Sequence, residues 1–315
     1  MALRESDLQA VDAPLQPLSP KPPVSLNWAL RLLILVVLLF VLGTLPGLFF
    51  PQAPPGFDQL WTQWGAFVVV YLIMALLIER RRPPAELAPR RLHLLLGGLA
   101  LGAGLFVLVY GVLALTGTYR LSVGNAPIDQ SWWAGAYLVA VGAGIGEELL
   151  FRGMMYRMVE QLLGTWVAVL ASALLFGFAH AANPGATTWS SIAIALEAGL
   201  LIAFLYAATR SLWMTIGFHA AWNFVQGPVL GVNVSGNELP SIFRSTASGS
   251  VWVTGGNFGV EASVVSVAIL VLVAASLAVL AVRRREIVAP MWTRKRRLRD
   301  REEPEVAPSP LPQTR

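Results

Sequence analysis

The chain has 315 residues, 56% of them hydrophobic and only 13% charged, with a net charge of +5 and a mean hydropathy of +0.62. A soluble domain of this length carries about a quarter charged residues, so the composition excludes an ordinary water-soluble globule. With no cysteine, disulfides, thiolate metal sites and a cysteine nucleophile are excluded too. The basic balance does not point to nucleic acid. The arginines cluster beside long apolar runs, the pattern of loops facing anionic lipid.

Residues 1–26 are proline-rich and polar and read as a flexible cytoplasmic tail. They contain Glu5, Asp7 and Asp12 and no short apolar core, which argues against a cleavable leader. Residues 27–129 read as N-terminal transmembrane helices. Span one runs from about Trp28 to Phe50, with Arg31 at its edge, and is followed by a proline-rich turn from Pro51. Span two covers about Trp61 to Ile78 and closes with Arg80, Arg81 and Arg82. Span three covers about Leu92 to Thr116, with His93 an interfacial residue beside Arg90 and Arg91. A polar loop over 117–131 leads into span four, Trp132 to Phe151, whose helix continues amphipathically to Leu163. Span five is Thr165 to His180, span six Ser190 to Ala208, and span seven Leu212 to Val225. Residues 229–259, rich in Gly, Ser and Asn, form an extracytoplasmic loop. The last transmembrane segment lies within 260–285, and 286–315 is a basic, proline-containing cytoplasmic tail that suits a lipid surface. The reading is therefore an all-α polytopic bundle of about eight spans, with spans four to seven as a core over 130–228. Basic residues fall after the even-numbered spans, which places both termini in the cytoplasm. The ratio of 21 arginines to 2 lysines points to a GC-rich bacterium.

Span four ends in Glu147-Glu148-Leu-Leu-Phe-Arg152. Charges inside a bilayer are costly and are kept for a purpose. Glu148 and Arg152 are four residues apart and share a helix face, which suits an ion pair. Glu147 is turned about 100° away and is left free. Span five ends Phe176-Gly-Phe-Ala-His180, and span seven carries His219 and Asn223 on one face. In this reading, Glu147 takes a proton from water as general base and His180 orients the water or protonates the leaving amine. His219 and Asn223 donate to the oxyanion. Glu147, His180 and His219 are also ordinary zinc donors, although no His-Glu-x-x-His pair is present. Counting at about 1.5 Å per residue, His219 lies about 10 Å from the cytoplasmic edge and His180 about 20 Å. Helix tilt or shifted boundaries must close that gap. Glu197 in span six is a further intramembrane acid and a secondary site candidate.

Taken together, Glu147-Glu148-x-x-x-Arg152, Phe176-x-x-x-His180 and His219-x-x-x-Asn223, in this order on successive buried helices, resemble the CPBP intramembrane proteases. These are also called the CAAX protease and bacteriocin-processing, or Abi, family. The resemblance covers about 130–228 and leaves out the flanking spans. It implies a helical membrane core that hydrolyses peptide bonds of membrane-associated or lipidated proteins. By motif position it makes Glu147 the water-activating base with His180 as partner, and His219 and Asn223 the oxyanion donors. Glu148 with Arg152 hold the motif's shape. The family has been read both as metal-dependent and as using glutamate-bound water alone. The free carboxylate and the lack of cysteine favour no required cofactor, with a divalent metal such as zinc on Glu147, His180 and His219 as the alternative. A CAAX substrate fits poorly with a bacterial source. The other functional classes are a non-catalytic scaffold or bacteriocin-immunity-type protein, and a proton-coupled transporter.

Overall fold

The computed structural model describes residues 28–49, 65–81, 84–124 and 127–302. The proline-rich start, the turn from Pro51, the beginning of span two at Trp61, Arg82 and the residues after 302 lie outside these.

Nine main helices follow one another among the described residues. They are α1 (Trp28–Phe49), α2 (Ala66–Ile78), α3 (His93–Leu115), α4 (Gln130–Leu163) and α5 (Thr165–Ala182). Then come α6 (Thr188–Thr209), α7 (Leu212–Phe224), α8 (Val264–Arg283) and α9 (Met291–Glu302). By length and composition α3, α4, α5, α6 and α8 can each cross a membrane, and the chain is an integral membrane helix bundle. The described apolar stretches of α1 and α2 are shorter, and α7 spans 13 residues. The amphipathic continuation expected after span four is confirmed: α4 is one helix of 34 residues. It contains two wider turns, Tyr137–Gly142 and Leu149–Tyr156, the second directly after Glu148. Such i→i+5 turns shift the helical phase and are frequent at functional sites.

Local chemistry explains the boundaries. Asp129 caps α4 by accepting from the backbone N–H groups of Ser131 and Trp132. Thr187 and Ser190 form a reciprocal capping box at α6. Arg210, with φ at +51°, turns the chain from α6 into α7. α8 begins four residues later than the apolar run suggests, because Val260–Ala262 forms a separate tight turn and Ser263 caps the helix.

The two polar connections are not wholly irregular. β1 (Tyr119–Val123) pairs antiparallel with β2 (Phe243–Ala247), Tyr119 opposite Ala247 and Val123 opposite Phe243. Five-residue strands paired across more than a hundred residues leave little trace in composition.

α3 and α7 meet backbone to backbone. A Cβ on Gly98 would overlap the carbonyl oxygen of Met214, and one on Gly102 that of Phe218. Small residues permit such crossings in membranes, where apolar burial gives helices no advantage over lipid. α4 approaches α7 in the same way where Gly144 lies against Ala220, one residue from His219.

At one end of the bundle the charges pair with one another. Glu86 accepts from Arg81 (2.5 Å) and Arg157 (3.1 Å), and from the Tyr71 hydroxyl (2.9 Å). Glu79 also pairs with Arg81 and Arg157. Glu160 holds Arg210 at 2.6 Å, and Arg210 reaches on to Glu286. Arg157 and Arg210, which follow spans four and six as positive markers, are thus buried structural partners rather than free loop charges.

Candidate active site

Three helices bring the motif residues together. The Arg152 guanidinium donates to Glu148 Oε1 at 2.9 Å, both groups being fully buried, so the predicted four-residue pair forms. Arg152 also donates to the Gly199 carbonyl on α6 and lies over the Phe176 ring, 4.6 Å from its centroid. Glu148 has a second partner that spacing did not reveal: His219 Nδ1 sits 3.0 Å from the same Oε1. Glu148 therefore joins the first motif to the third.

That contact fixes the His219 ring. A carboxylate oxygen accepts, so the hydrogen lies on Nδ1 and the neutral ring keeps its lone pair on Nε2. His219 can donate to an oxyanion from Nε2 only when doubly protonated. Asn223 spends one Nδ2–H on the Val139 carbonyl at 2.9 Å, which leaves the second amide hydrogen for the cavity.

Glu147 points away from this pair, as its helical phase requires. Its side chain is 22% exposed, and Oε2 has no hydrogen-bond partner among the described residues. His180 Nε2 lies 3.9 Å from that oxygen, while Nδ1 faces the Phe176 carbonyl at 2.8 Å. The second ring is thus also oriented, with Nδ1–H donating and Nε2 turned toward Glu147. Phe176 packs against His180, His219 and Phe151, and is the apolar hub of the cluster.

Glu147, His180, His219 and Asn223 all line one cavity of ≈ 560 Å³, with Phe67 of α2 and Leu150 among its apolar walls. The expected depth mismatch between the histidines therefore closes. The size suits an organic ligand or a short peptide segment. Glu197 lies elsewhere. It is fully buried, accepts from Ser266 on α8 at 2.5 Å, and does not border this cavity. His93 is exposed at the start of α3, as an interfacial residue should be.

Among the described residues no three His, Asp or Glu side chains converge as a metal-binding group. Glu147, His180 and His219 share a cavity but not a ligand set in this arrangement.

Several polar residues of the cavity region, Asn183 and Glu238 among them, were not found from sequence. Ser235 and Asn237 line the large cavity from the α7–α8 loop. Glu261, 4% exposed, lines a smaller one of ≈ 20 Å³ together with His180, His219 and Ser235. That volume accommodates about one water. Burial pushes the Glu261 carboxyl up, opposed by the charge of His180 and the N–H of Ser235. The one available signal was an acidic residue inside a glycine-rich stretch beside an apolar run.

The chain is thus a membrane helix bundle with a buried Glu–Arg–His cluster beside a part-exposed carboxylate. Residues 129–225 match the family model described as type II CAAX prenyl endopeptidase Rce1-like. The matched segment contains every motif residue and agrees with the resemblance to the CAAX-protease, or CPBP, family. No curated protein and no solved structure matches the chain.

Proposed function

We propose that the protein is an intramembrane endopeptidase in which Glu147 activates water against a peptide bond of a membrane-associated or lipidated protein. One observation carries the reading: the unpartnered Glu147 oxygen faces an oriented imidazole at the wall of a peptide-sized cavity. A water bonded to Glu147 Oε2 and His180 Nε2 gives up a proton to the carboxylate as its oxygen attacks the carbonyl carbon. The C–N bond breaks as that proton passes to the leaving amine, with His180 beside its path. The free amide hydrogen of Asn223 and the protonated Nε2 of His219 face the developing oxyanion. Glu148 and Arg152 hold His219 and the helix in register. This pathway needs no metal. The arginine bias supports a bacterial cytoplasmic membrane, and the basic ends support cytoplasmic termini.

The test is cleavage of a quenched lipidated peptide library by purified protein, wild type beside Glu147→Gln, with and without a chelator. Turnover that is lost in the variant and survives the chelator is expected. Loss with the chelator assigns the reaction to a metal, and no turnover from folded wild type favours a non-catalytic scaffold.

A further inference from the structure

The cavity has a wall that lies outside the family-matched segment. Val234, Ser235, Asn237, Glu238 and Leu239, all from the α7–α8 loop, face the same space as Glu147 and His180. A loop that merely joined two spans would not need to be held tightly, yet this one is. Val234 and Asn237 bond to each other across a tight turn. The turn's Ser235 N–H and hydroxyl both donate to Glu261 Oε2, at 2.5 and 3.0 Å. Asn183, three residues beyond His180, donates to the Ser235 carbonyl at 3.0 Å. Gly236, at φ +86°, fits so closely beneath Pro184 that a Cβ would overlap the Pro184 carbonyl oxygen. Gln226, at the end of α7, donates to the Asn233 carbonyl. The turn is thus tied to the end of α5, to α7 and to the approach to α8.

Glu261 is the centre of these ties. Its carboxylate is buried and carries two of the turn's donors on one oxygen, with Gln226 beside it. A carboxylate placed there only for bulk would be an expensive choice, since burying it costs several kcal/mol unless it is well hydrogen-bonded. Glu238 and Leu239 stand beyond the latch, the first an exposed acid at the cavity and the second apolar.

We infer that the Val234–Leu239 turn is the substrate-selecting wall of the cavity, latched in place by Glu261 through Ser235, and that Glu238 on it favours a peptide with a basic side chain beside the scissile bond. This rests on the proteolytic reading above. Glu261 acts through the turn and is a positioning residue; Glu238 sets preference.

The latch is tested without any substrate. Hydrogen exchange of the purified protein is expected to show the Ser235 amide exchanging at least tenfold faster in Glu261→Gln, with Glu261→Asp restoring much of the protection. Amides of α3 and α8 should be unchanged, which separates a released turn from an unfolded protein. Unchanged Ser235 exchange in a folded Glu261→Gln variant overturns the latch. Selection is tested with two quenched lipidated peptides that differ only by Lys or Glu next to the cleaved bond. Wild type is expected to favour the Lys peptide several-fold in kcat/KM, through KM. Glu238→Gln should abolish that preference. Equal use of both peptides by wild type overturns the selecting role. No cleavage of either peptide by wild type overturns the proteolytic reading and the selection with it, whereas the exchange result still decides the latch.

Discussion

Two regions of the bundle use charge in opposite ways. At one end Glu79, Glu86, Glu160 and Glu286 are matched by Arg81, Arg157 and Arg210, and tyrosine and threonine hydroxyls satisfy further acceptors. In the motif cluster Glu148, fully buried, is held through Oε1 by Arg152 and His219, whereas its neighbour Glu147 is 22% exposed and turns an unpartnered Oε2 to the cavity. A carboxylate that is ion-paired and sealed from the cavity can only hold structure together. One with an unpartnered oxygen at the cavity wall has a lone pair to offer. The difference lies in the partners, not in the residue type, and two adjacent glutamates on one helix show both cases.

This contrast can be broken experimentally. The largest expected effect is on turnover: Glu147→Gln should lower kcat by about 10³-fold with little change in the melting temperature of the detergent-solubilised protein. A comparable loss of stability would place Glu147 with the structural charges. Arg157→Gln should do the reverse. It leaves Glu79 and Glu86 in a buried setting with Arg81 as their shared guanidinium, a change that costs up to about 3 kcal/mol. Melting should shift down strongly while kcat of the surviving folded protein stays near wild type. Asn223→Ala tests the mixed case, because its amide both braces α4 and faces the cavity. A loss of about 10²-fold in kcat is expected if it supplies an oxyanion donor, with a smaller stability change.

Acid sharpens the comparison further. Burial alone would push the Glu86 carboxyl up, but the guanidiniums of Arg157 and Arg81 outweigh it and hold it below the usual carboxylate range. Its contribution to stability is therefore full above the unfolded-state value of about 4.3 and is lost as pH falls through the lower folded value. Wild-type melting should drop below about pH 4.3, and Glu86→Gln should start lower but vary less across that window. The smallest effect is at a cap. Thr187→Ala should cost about 1 kcal/mol by freeing the Ser190 N–H, with turnover unchanged.

Much of this was legible in the chain because its signals are local. Apolar runs announce spans, and spacings of four residues announce shared faces, so Glu148 with Arg152, and Glu147 turned away from them, could be read directly. The order of the motifs then pointed to the family. What was hidden depends on contacts that no local pattern encodes. Glu148 meets His219 across 71 positions, and Ser235 meets Glu261 from within a loop that composition describes only as rich in Gly, Ser and Asn. The strand pair of β1 and β2 was hidden for the same reason. Glu197, the further acid inside a span, accepts from Ser266 on α8 and lies away from the cavity, which its position in the sequence did not indicate.

The α3–α7 crossing has a mechanical consequence. Side chains between helices act as a compliant layer that lets one cylinder roll or slide against another. Gly98 and Gly102 remove that layer, so α7 cannot turn about its own axis without carrying α3 along. His219 and Asn223 therefore share the stiffness of two helices, one of which lies wholly outside the family-matched segment. The α7 wall of the cavity is therefore held as firmly as the turn at Ser235 that borders it.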